Sequence, residues 1–405
     1  MNDKNHFINK IDWTLVIILF IFFCISLVAI SSAQTTSYTS VNYIPRQIIY
    51  YMILVFIIVF VMCFDMELYK NLTWFLYGFG ILLLITLIFM PEGKGQIGEV
   101  INGAKSWYHT PIGNLQPAEF MKTFYILACA KAISLHNEKY VWRTLITDFY
   151  LLLKIFGLLV VPFLLILEQP DLGSALVFIA ITIALILVSG ISWFIIFVFL
   201  GLGTATGGLV LWMTFNMQDY LKNMFGIEPY KLGRIFSWVD PYAYASGEGY
   251  QLISSMNSIG SGELFGKGYL NREVYVVENH TDFIFTVIGE EWGFIGASFV
   301  ICLYFILMYH LIRIAMRVKD TFSAYVCMGI IAMITFHVFE NIGMTIQLLP
   351  ITGIPLPFIS YGGSSLMGNA LALGFIFSMY FHHQDYMFDK NGMENTFAHK
   401  YLTKV

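Results

Sequence analysis

The chain has 405 residues, 58% of them hydrophobic and only 12% charged, with a mean hydropathy of +0.72. Soluble domains carry about 25% charged residues, so this composition excludes a soluble enzyme, a disordered chain and a disulfide-stapled secreted module. The net charge of −4 supplies no basic field to draw in nucleic acid.

What remains is an all-α polytopic membrane protein. A spanning helix takes about 20 mostly apolar residues. Ten segments qualify, roughly 12–32, 47–64, 72–90, 117–134, 150–168, 174–190, 192–215, 283–312, 322–343 and 366–383. Ser31-Ser32-Ala33 loosely resembles a signal-peptide cleavage site, but further spans follow, and the first is read as a retained helix. The whole of 1–405 reads as a single integral membrane domain. It has a large extracytoplasmic loop at 216–281, between helices seven and eight, and a Pro/Gly-rich re-entrant segment before helix ten.

Lys and Arg in the connections set orientation. The side that holds the termini carries twelve and the opposite side eight, or twelve to three once the long 216–281 connection is set aside. Both termini, including the 384–405 tail, are therefore expected in the cytoplasm. Ten of the eleven prolines fall on the other face, Pro162 being the exception. Function is expected there, on irregular segments held over a rigid scaffold. Cys24, Cys63, Cys129, Cys302 and Cys327 lie in apolar stretches without CxxC spacing, and read as small hydrophobes.

Charges in or beside spans are costly and mark candidate sites. Gln116-Pro117-Ala118-Glu119-Phe120-Met121-Lys122 opens the fourth helix, with Pro117 at a natural start position. Glu119 and Lys122, three apart, share a face; they form either a structural ion pair or a polar patch beside a substrate path. In Glu168-Gln169-Pro170-Asp171-Leu172-Gly173, Asp171 either caps the sixth helix or orients a cation or substrate. In His280-Thr281-Asp282-Phe283, Asp282 enters the eighth helix as a cap or as a general base. Burial would raise its pKa and the helix N-terminus lower it. Leu349 through Ser365 holds Pro350, Pro355 and Pro357 and no charge. It is either a structural re-entrant turn or, through its N–H groups and the hydroxyls of Ser360, Ser364 and Ser365, a seat for a polar ligand such as a diphosphate. Gly262 to Lys267 misses the P-loop pattern at both ends, with Ser261 and Gly268 in the wrong places. No HExxH occurs, and the histidines show no ligand spacing. Gly203 and Gly207 form a GxxxG that suggests helix packing.

Taken together, these segments resemble the SEDS family (shape, elongation, division and sporulation) of bacterial cell-wall proteins. The matching stretches run in family order. They are Tyr43 to Gln47, Asn102 to Trp107, Leu115 to Lys122, Gln169 to Ala175, Arg234 to Pro241, Gly249 to Gln251, Gly260 to Gly268, His280 to Gly296, and Asn341 through Ser365. Asn341-Ile342-Gly343-Met344 and the Phe and Ile variants of the last motif lean toward the elongation (RodA-like) branch over the division (FtsW-like) branch. Two departures stand out. Ser106 replaces a second basic residue before Trp107, and Val277 replaces a proline before Glu278.

The resemblance implies a ten-helix peptidoglycan glycosyltransferase of the plasma membrane. It would polymerise lipid II, an undecaprenyl-diphosphate-linked disaccharide-pentapeptide, into glycan on the outer leaflet. Its partners would be a class B penicillin-binding protein that cross-links the strands and other elongation-machinery membrane proteins. Position by position, Asp282 matches the family's essential aspartate, and Trp107 a loop tryptophan that contacts glycan; the residue alone equally suits an interface anchor. Glu119, Lys122 and Asp171 match polar cavity positions, and Arg46 a basic position of its motif.

Asp282 is the expected general base, deprotonating the GlcNAc 4-hydroxyl of the acceptor, with inversion from α to β at the donor's anomeric carbon. A diphosphate leaves as an anion, so no second acid is required, unlike a glycosidase. Arg46, Lys105, Lys122, Arg234 and the 360–365 backbone are candidates to meet that charge, and a divalent cation is left open. His280 completes the expected substrate-binding set. The rival readings are a lipid II flippase and a non-enzymatic scaffold.

Overall fold

The computed structural model describes residues 10–35, 42–90, 105–110, 113–217 and 229–402. Parts of the expected outer loop (91–104) and of the long connection (218–228) lie outside the described residues, as does the end of the tail (403–405). The helices are α1 (Trp13–Ala33), α2 (Ile44–Met62), α3 (Met66–Phe89), α4 (Pro117–Lys139), α5 (Leu145–Glu168), α6 (Leu172–Val188) and α7 (Trp193–Asn216). They continue as α8 (Pro229–Val239), α9 (Glu248–Ser261), α10 (Ile284–Arg317), α11 (Thr321–Thr345) and α12 (Gly363–Leu402). Each expected span is helical. Among the described residues, eight helices are long and apolar enough to cross a membrane. The two others are α4, which carries charge along its length, and α6, a shorter apolar helix of 17 residues.

Local chemistry sets the helix starts. The carboxylates of Asp12, Asp65, Asp171 and Asp320 accept from Leu15 N, Leu68 N, Ser174 N and Ser323 N at 2.9–3.1 Å, satisfying N–H groups that a helix cannot pair. Proline opens α4 and sits in the first turn of α2, where its missing N–H costs nothing.

The centre of the bundle is α4, enclosed by α3, α5, α11 and α12. Its run Leu127-Ala128-Cys129-Ala130 is fully buried. Lipid offers little hydrophobic drive between helices, so close packing matters more. A Cβ on Gly80, Gly329 or Gly368 would run into Met121, Ile126 or the Glu119 backbone, so glycines on three neighbours let α4 approach. By contrast, α7 is peripheral. Gly203 and Gly207 have nothing within 4 Å, so the GxxxG expected to pack a helix meets no other part of the described chain.

Two features depart from the all-α expectation. Residues 105–116 include a short antiparallel hairpin, β1 (Tyr108–Thr110) with β2 (Gly113–Leu115). The long connection expected as a loop holds α8 and α9, which pack on each other and, through α9, on α10. Both are short and polar, which hides them from a search for apolar length.

The connection is stitched into a break in α10. At Gly293 the backbone leaves the helix, with φ 62° and ψ −159°. Lys267 N and Gly268 N donate to the carbonyls of Glu290 and Glu291 at 3.0 Å each, and Phe294 N and Ile295 N donate to the carbonyls of Glu263 and Leu264. The bonds lost at the kink are thus replaced by bonds to the inserted loop. Gly266, at φ +79°, lies so close that a Cβ would collide with the Glu291 carbonyl. Gly266→Ala is expected to lower stability by roughly 2 kcal/mol or more. The control Gly201→Ala, on open space, is expected to be neutral. Thermal unfolding midpoints in detergent check both.

Candidate active site

The segment 349–362 crosses one end of the bundle with no regular helix, because its three prolines forbid one; a single turn closes at Leu356, whose carbonyl accepts Ser360 N at 3.0 Å. Side chains from several helices satisfy it instead. Ser26 of α1 donates to Ile359 O at 2.8 Å, Gln47 of α2 to Ser360 O at 3.3 Å, and Asn341 of α11 to Ile354 O at 2.8 Å. Arg234 of α8 reaches Ile351 O at 3.4 Å. The hydroxyls of Tyr51 and Tyr304 donate to Phe358 O and Pro357 O. Phe358 sits at φ 63°, a strained conformation for a side chain of that size, and is held there by this lattice.

This strap in turn grips the 280–282 turn. Three consecutive carbonyls are held: His280 O by Tyr361 N at 2.9 Å, Thr281 O by the Ser360 hydroxyl at 2.7 Å, and Asp282 O by Asn341 Nδ2 at 2.7 Å. The helix α10 begins at Ile284, with Phe283 as its flanking residue and no side-chain cap. Asp282 is therefore not a helix cap. It is half-buried against the strap, and a Cβ on Gly353 would stand 3.3 Å from its Oδ2. Burial, then the negative charge of Glu278, push its carboxyl up to about 7; Asp171 adds to this and Arg234 opposes it. A carboxylate so poised is a base at neutral pH.

The other expected residues fall into three groups. Asp171 and Arg234 share the electrostatic surroundings of Asp282. Asp171 is the cap of α6, through Ser174 N, and also accepts from Gln116 Nε2 at 2.7 Å. His280 stacks on Tyr43 with centroids 4.4 Å apart, and exposed Arg46 lies near the Tyr361 side chain at the same corner.

A second group carries the framework. Ser360 donates to Thr281 O and accepts from Leu356 N at 2.8 Å. Ser364 donates to Asn114 O at 2.6 Å and accepts from Gln116 N at 2.9 Å. Their hydroxyls brace the strap and hairpin, whereas half-buried Ser365 meets Asn369 at 3.4 Å. Lys105 donates to Ile88 O and Met90 O at the end of α3, where a cation suits the helix dipole. Half-buried Trp107 follows Ser106, whose hydroxyl donates to Gln169 O at 2.9 Å; a neutral hydrogen bond thus occupies the position where a second base was expected.

The third group lies deeper. Glu119 and Lys122 pair at 2.7 Å, both buried. Lys122 also donates to His337 Nε2 at 3.0 Å, since His337 Nδ1 is committed to Met333 O at 2.6 Å. Sequence reasoning missed His337, together with Gln116, Glu340 and Asn341. Glu340 accepts from Thr352 at 3.0 Å. His337, Glu340 and Asn341 follow i, i+3, i+4 spacing on α11, a polar stripe that hydropathy averaging conceals. Among the described residues, no cluster of three or more His, Cys, Asp or Glu could hold a metal.

With this geometry in view, comparison with known proteins is direct. The model of the FtsW/RodA/SpoVE family, described as cell cycle protein, matches residues 9–385. The chain belongs to this family. It is 35% identical to stage V sporulation protein E of Bacillus subtilis (strain 168) over 379 residues, covering 91% of this chain and 96% of that protein. It is 34% identical to a probable peptidoglycan glycosyltransferase FtsW of Trichlorobacter lovleyi, covering 74% and 73%. A solved chain from a peptidoglycan synthase complex, studied for its coordination of polymerization and crosslinking, aligns with a TM-score of 0.74 and 25% identity, covering 92% and 98%. The FtsW/RodA/SpoVE fold therefore spans nearly the whole chain, and the strap and the Asp282 turn lie within the matched region.

Removing one partner of a buried ion pair leaves an uncompensated charge. Lys122→Met alone is expected to destabilise by about 3–5 kcal/mol. The double variant with Glu119→Gln is expected to recover most of that loss. Unfolding in detergent across the double-mutant cycle checks it.

Proposed function

We propose that this chain is a peptidoglycan glycosyltransferase that links lipid II disaccharides into glycan at the outer face of the plasma membrane, with Asp282 as general base. The observation that carries the reading is the Asp282 carboxylate, fixed by three held carbonyls and poised near neutrality by burial and by Glu278. In this reading Asp282 takes the proton of the acceptor's GlcNAc 4-hydroxyl. The oxygen attacks the donor's anomeric carbon from the face opposite the lipid, inverting α to β, and the undecaprenyl diphosphate departs as an anion.

Among the cation candidates, this reading favours two. Lys105 is committed to the end of α3, and Lys122 to Glu119 and His337. Arg234, facing Asp282, and Arg46, at the Tyr361 corner, are the better placed to receive the diphosphate charge.

The proposed topology has ten spans, counting α4 and α6 with the eight apolar helices. Both termini are cytoplasmic by the charge asymmetry of the connections. The proposed partner is a class B penicillin-binding protein; the likeness to a chain of a synthase complex supports it. Assignment to the elongation branch rests on Asn341-Ile342-Gly343-Met344 and the strap variants, since the two relatives above carry sporulation and division names.

A transporter reading draws on the buried Glu119–Lys122–His337 group, for intramembrane charge is a transporter sign. One assay separates the two. Purified protein with lipid II and its partner is expected to make polymer, and Asp282→Ala is expected to make none while still binding the partner. Lipid scrambling without polymer would support transport. The pH profile is a further check. The base acts deprotonated, so polymerisation is expected to rise through about pH 7. Arg234→Gln removes a cation and should move that rise to higher pH, whereas Asp171→Asn should move it lower.

A further inference from the structure

The helix α8 meets the strap through one face. Arg234 and Trp238 stand four residues apart, so helix geometry puts them on the same side, about 6 Å apart along the axis. Arg234 Nη1 reaches Ile351 O at 3.4 Å, a long bond. Two residues further along the strap, a Cβ on Gly353 would stand 3.3 Å from Asp282 Oδ2. Ile351 packs on the cluster of Val276, Phe283 and Met344, which seats the residue after Asp282. The strap thus brings the guanidinium and the carboxylate to adjacent stations, and where α8 lies decides how they meet.

Trp238 is fastened at both ends. Its Nε1 donates to Gln347 O at 3.1 Å, and Gln347 Nε2 donates back to Trp238 O at 3.1 Å. Gln347 follows the last turn of α11 at φ 63°, where Gln347 N donates to Met344 O and Leu348 N to Gly343 O. This is the left-handed residue of a helix-ending turn, a position that favours glycine or asparagine. A glutamine there carries a steric cost, and its amide is what reaches α8. Ser255 of α9 ties the same turn separately, donating to Thr345 O at 2.7 Å, so α9 keeps its own hold on α11.

We propose that the reciprocal Trp238–Gln347 pair is a clamp that positions Arg234 at the Asp282 turn. This rests on reading Asp282 as the general base with Arg234 as its cationic neighbour. The clamp sets the height of α8 on the strap, and Arg234, one turn before Trp238, is carried with it. Trp238 and Gln347 act through Arg234 and are positioning residues.

The electrostatics give the clamp a readout. Burial and Glu278 raise the Asp282 carboxyl, and Arg234 opposes them. A cation that withdraws favours the protonated carboxyl, so the base then needs a higher pH to act. The other charged and titratable groups near the base are Glu278 and His280 on its own turn, Asp171 at the start of α6, and Glu340 of α11, which accepts from Thr352 beside Gly353. None of these lies on α8.

The test is lipid II polymerisation by the full chain with its partner across a range of pH, beside unfolding midpoints in detergent. Gln347→Asn suits the left-handed turn, but its shorter amide falls short of Trp238 O. Trp238→Phe keeps a ring and drops the other donor. Each is expected to unfold close to the parent's midpoint and to move the acid limb to higher pH, by no more than Arg234→Gln does. In the Arg234→Gln background neither is expected to move it further. A limb left in place by both variants, even with a lowered midpoint, would make the pair merely structural and overturn the clamp. So would an equal shift with and without Arg234, or an unmoved limb in Arg234→Gln itself. If Asp282→Ala polymerised, the reading of the base would fall instead, a distinct outcome.

Discussion

Backbone polar groups that leave a helix inside a membrane protein must find partners within the protein, and the strap at 349–362 is built around that demand. Each unmet group would cost about 1–3 kcal/mol. Six of its carbonyls are met by side chains, drawn from α1, α2, α8, α10 and α11. Because the donors come from helices far apart in sequence, the strap cannot slide without breaking several bonds at once. That rigidity passes to the Asp282 turn through Tyr361, Ser360 and Asn341. The Asp282 turn is thus positioned through its backbone carbonyls rather than through its side chain.

The same accounting explains the break in α10. The loop 262–268 exchanges four backbone hydrogen bonds with the kink at Gly293. Glu290, buried in α10, accepts from Glu273 N, Val274 N, the Ser258 hydroxyl and Lys267. A long extramembrane connection would ordinarily move independently of the bundle. Here it is fastened at Glu290 to Ile295, so the connection that brings Arg234 toward Asp282 is held in register with the helix that follows it.

Much of this was legible in the sequence, and the limits have physical causes. Apolar length located the spans because a bilayer imposes it, and an aspartate before an apolar run announced the cap at Asp171. Asp282 stood out as a charge where charge is expensive. At Ser360 and Ser364 the sequence leaves a structural turn and a ligand seat both open, because their partners, Thr281 and Asn114, lie 79 and 250 residues away. Sequence spacing carries no trace of such pairs. The short helices of the long connection escaped because α8 packs on α9 and α9 on α10, with no need of hydrophobic length. Lys105 looked like a free cation, and only the geometry shows it closing the end of α3.

One face of α11 connects the two polar levels of the bundle. His337 meets Lys122 in the interior, Glu340 meets Thr352 of the strap, and Asn341 meets both Asp282 and Ile354. These three residues fall within little more than one helical turn, so their relative positions are set by helix geometry alone. Burying a lysine, a histidine and two glutamates in a membrane bundle is costly, and a fold needing only stability would replace them with apolar residues. Their retention makes sense if the helix serves as a ruler: the interior pair fixes the height of α11 against α4, and α11 in turn fixes the height of the strap and of Asp282. The height of the strap and of the Asp282 turn is then set by buried hydrogen bonds rather than by lipid packing, which varies with the membrane.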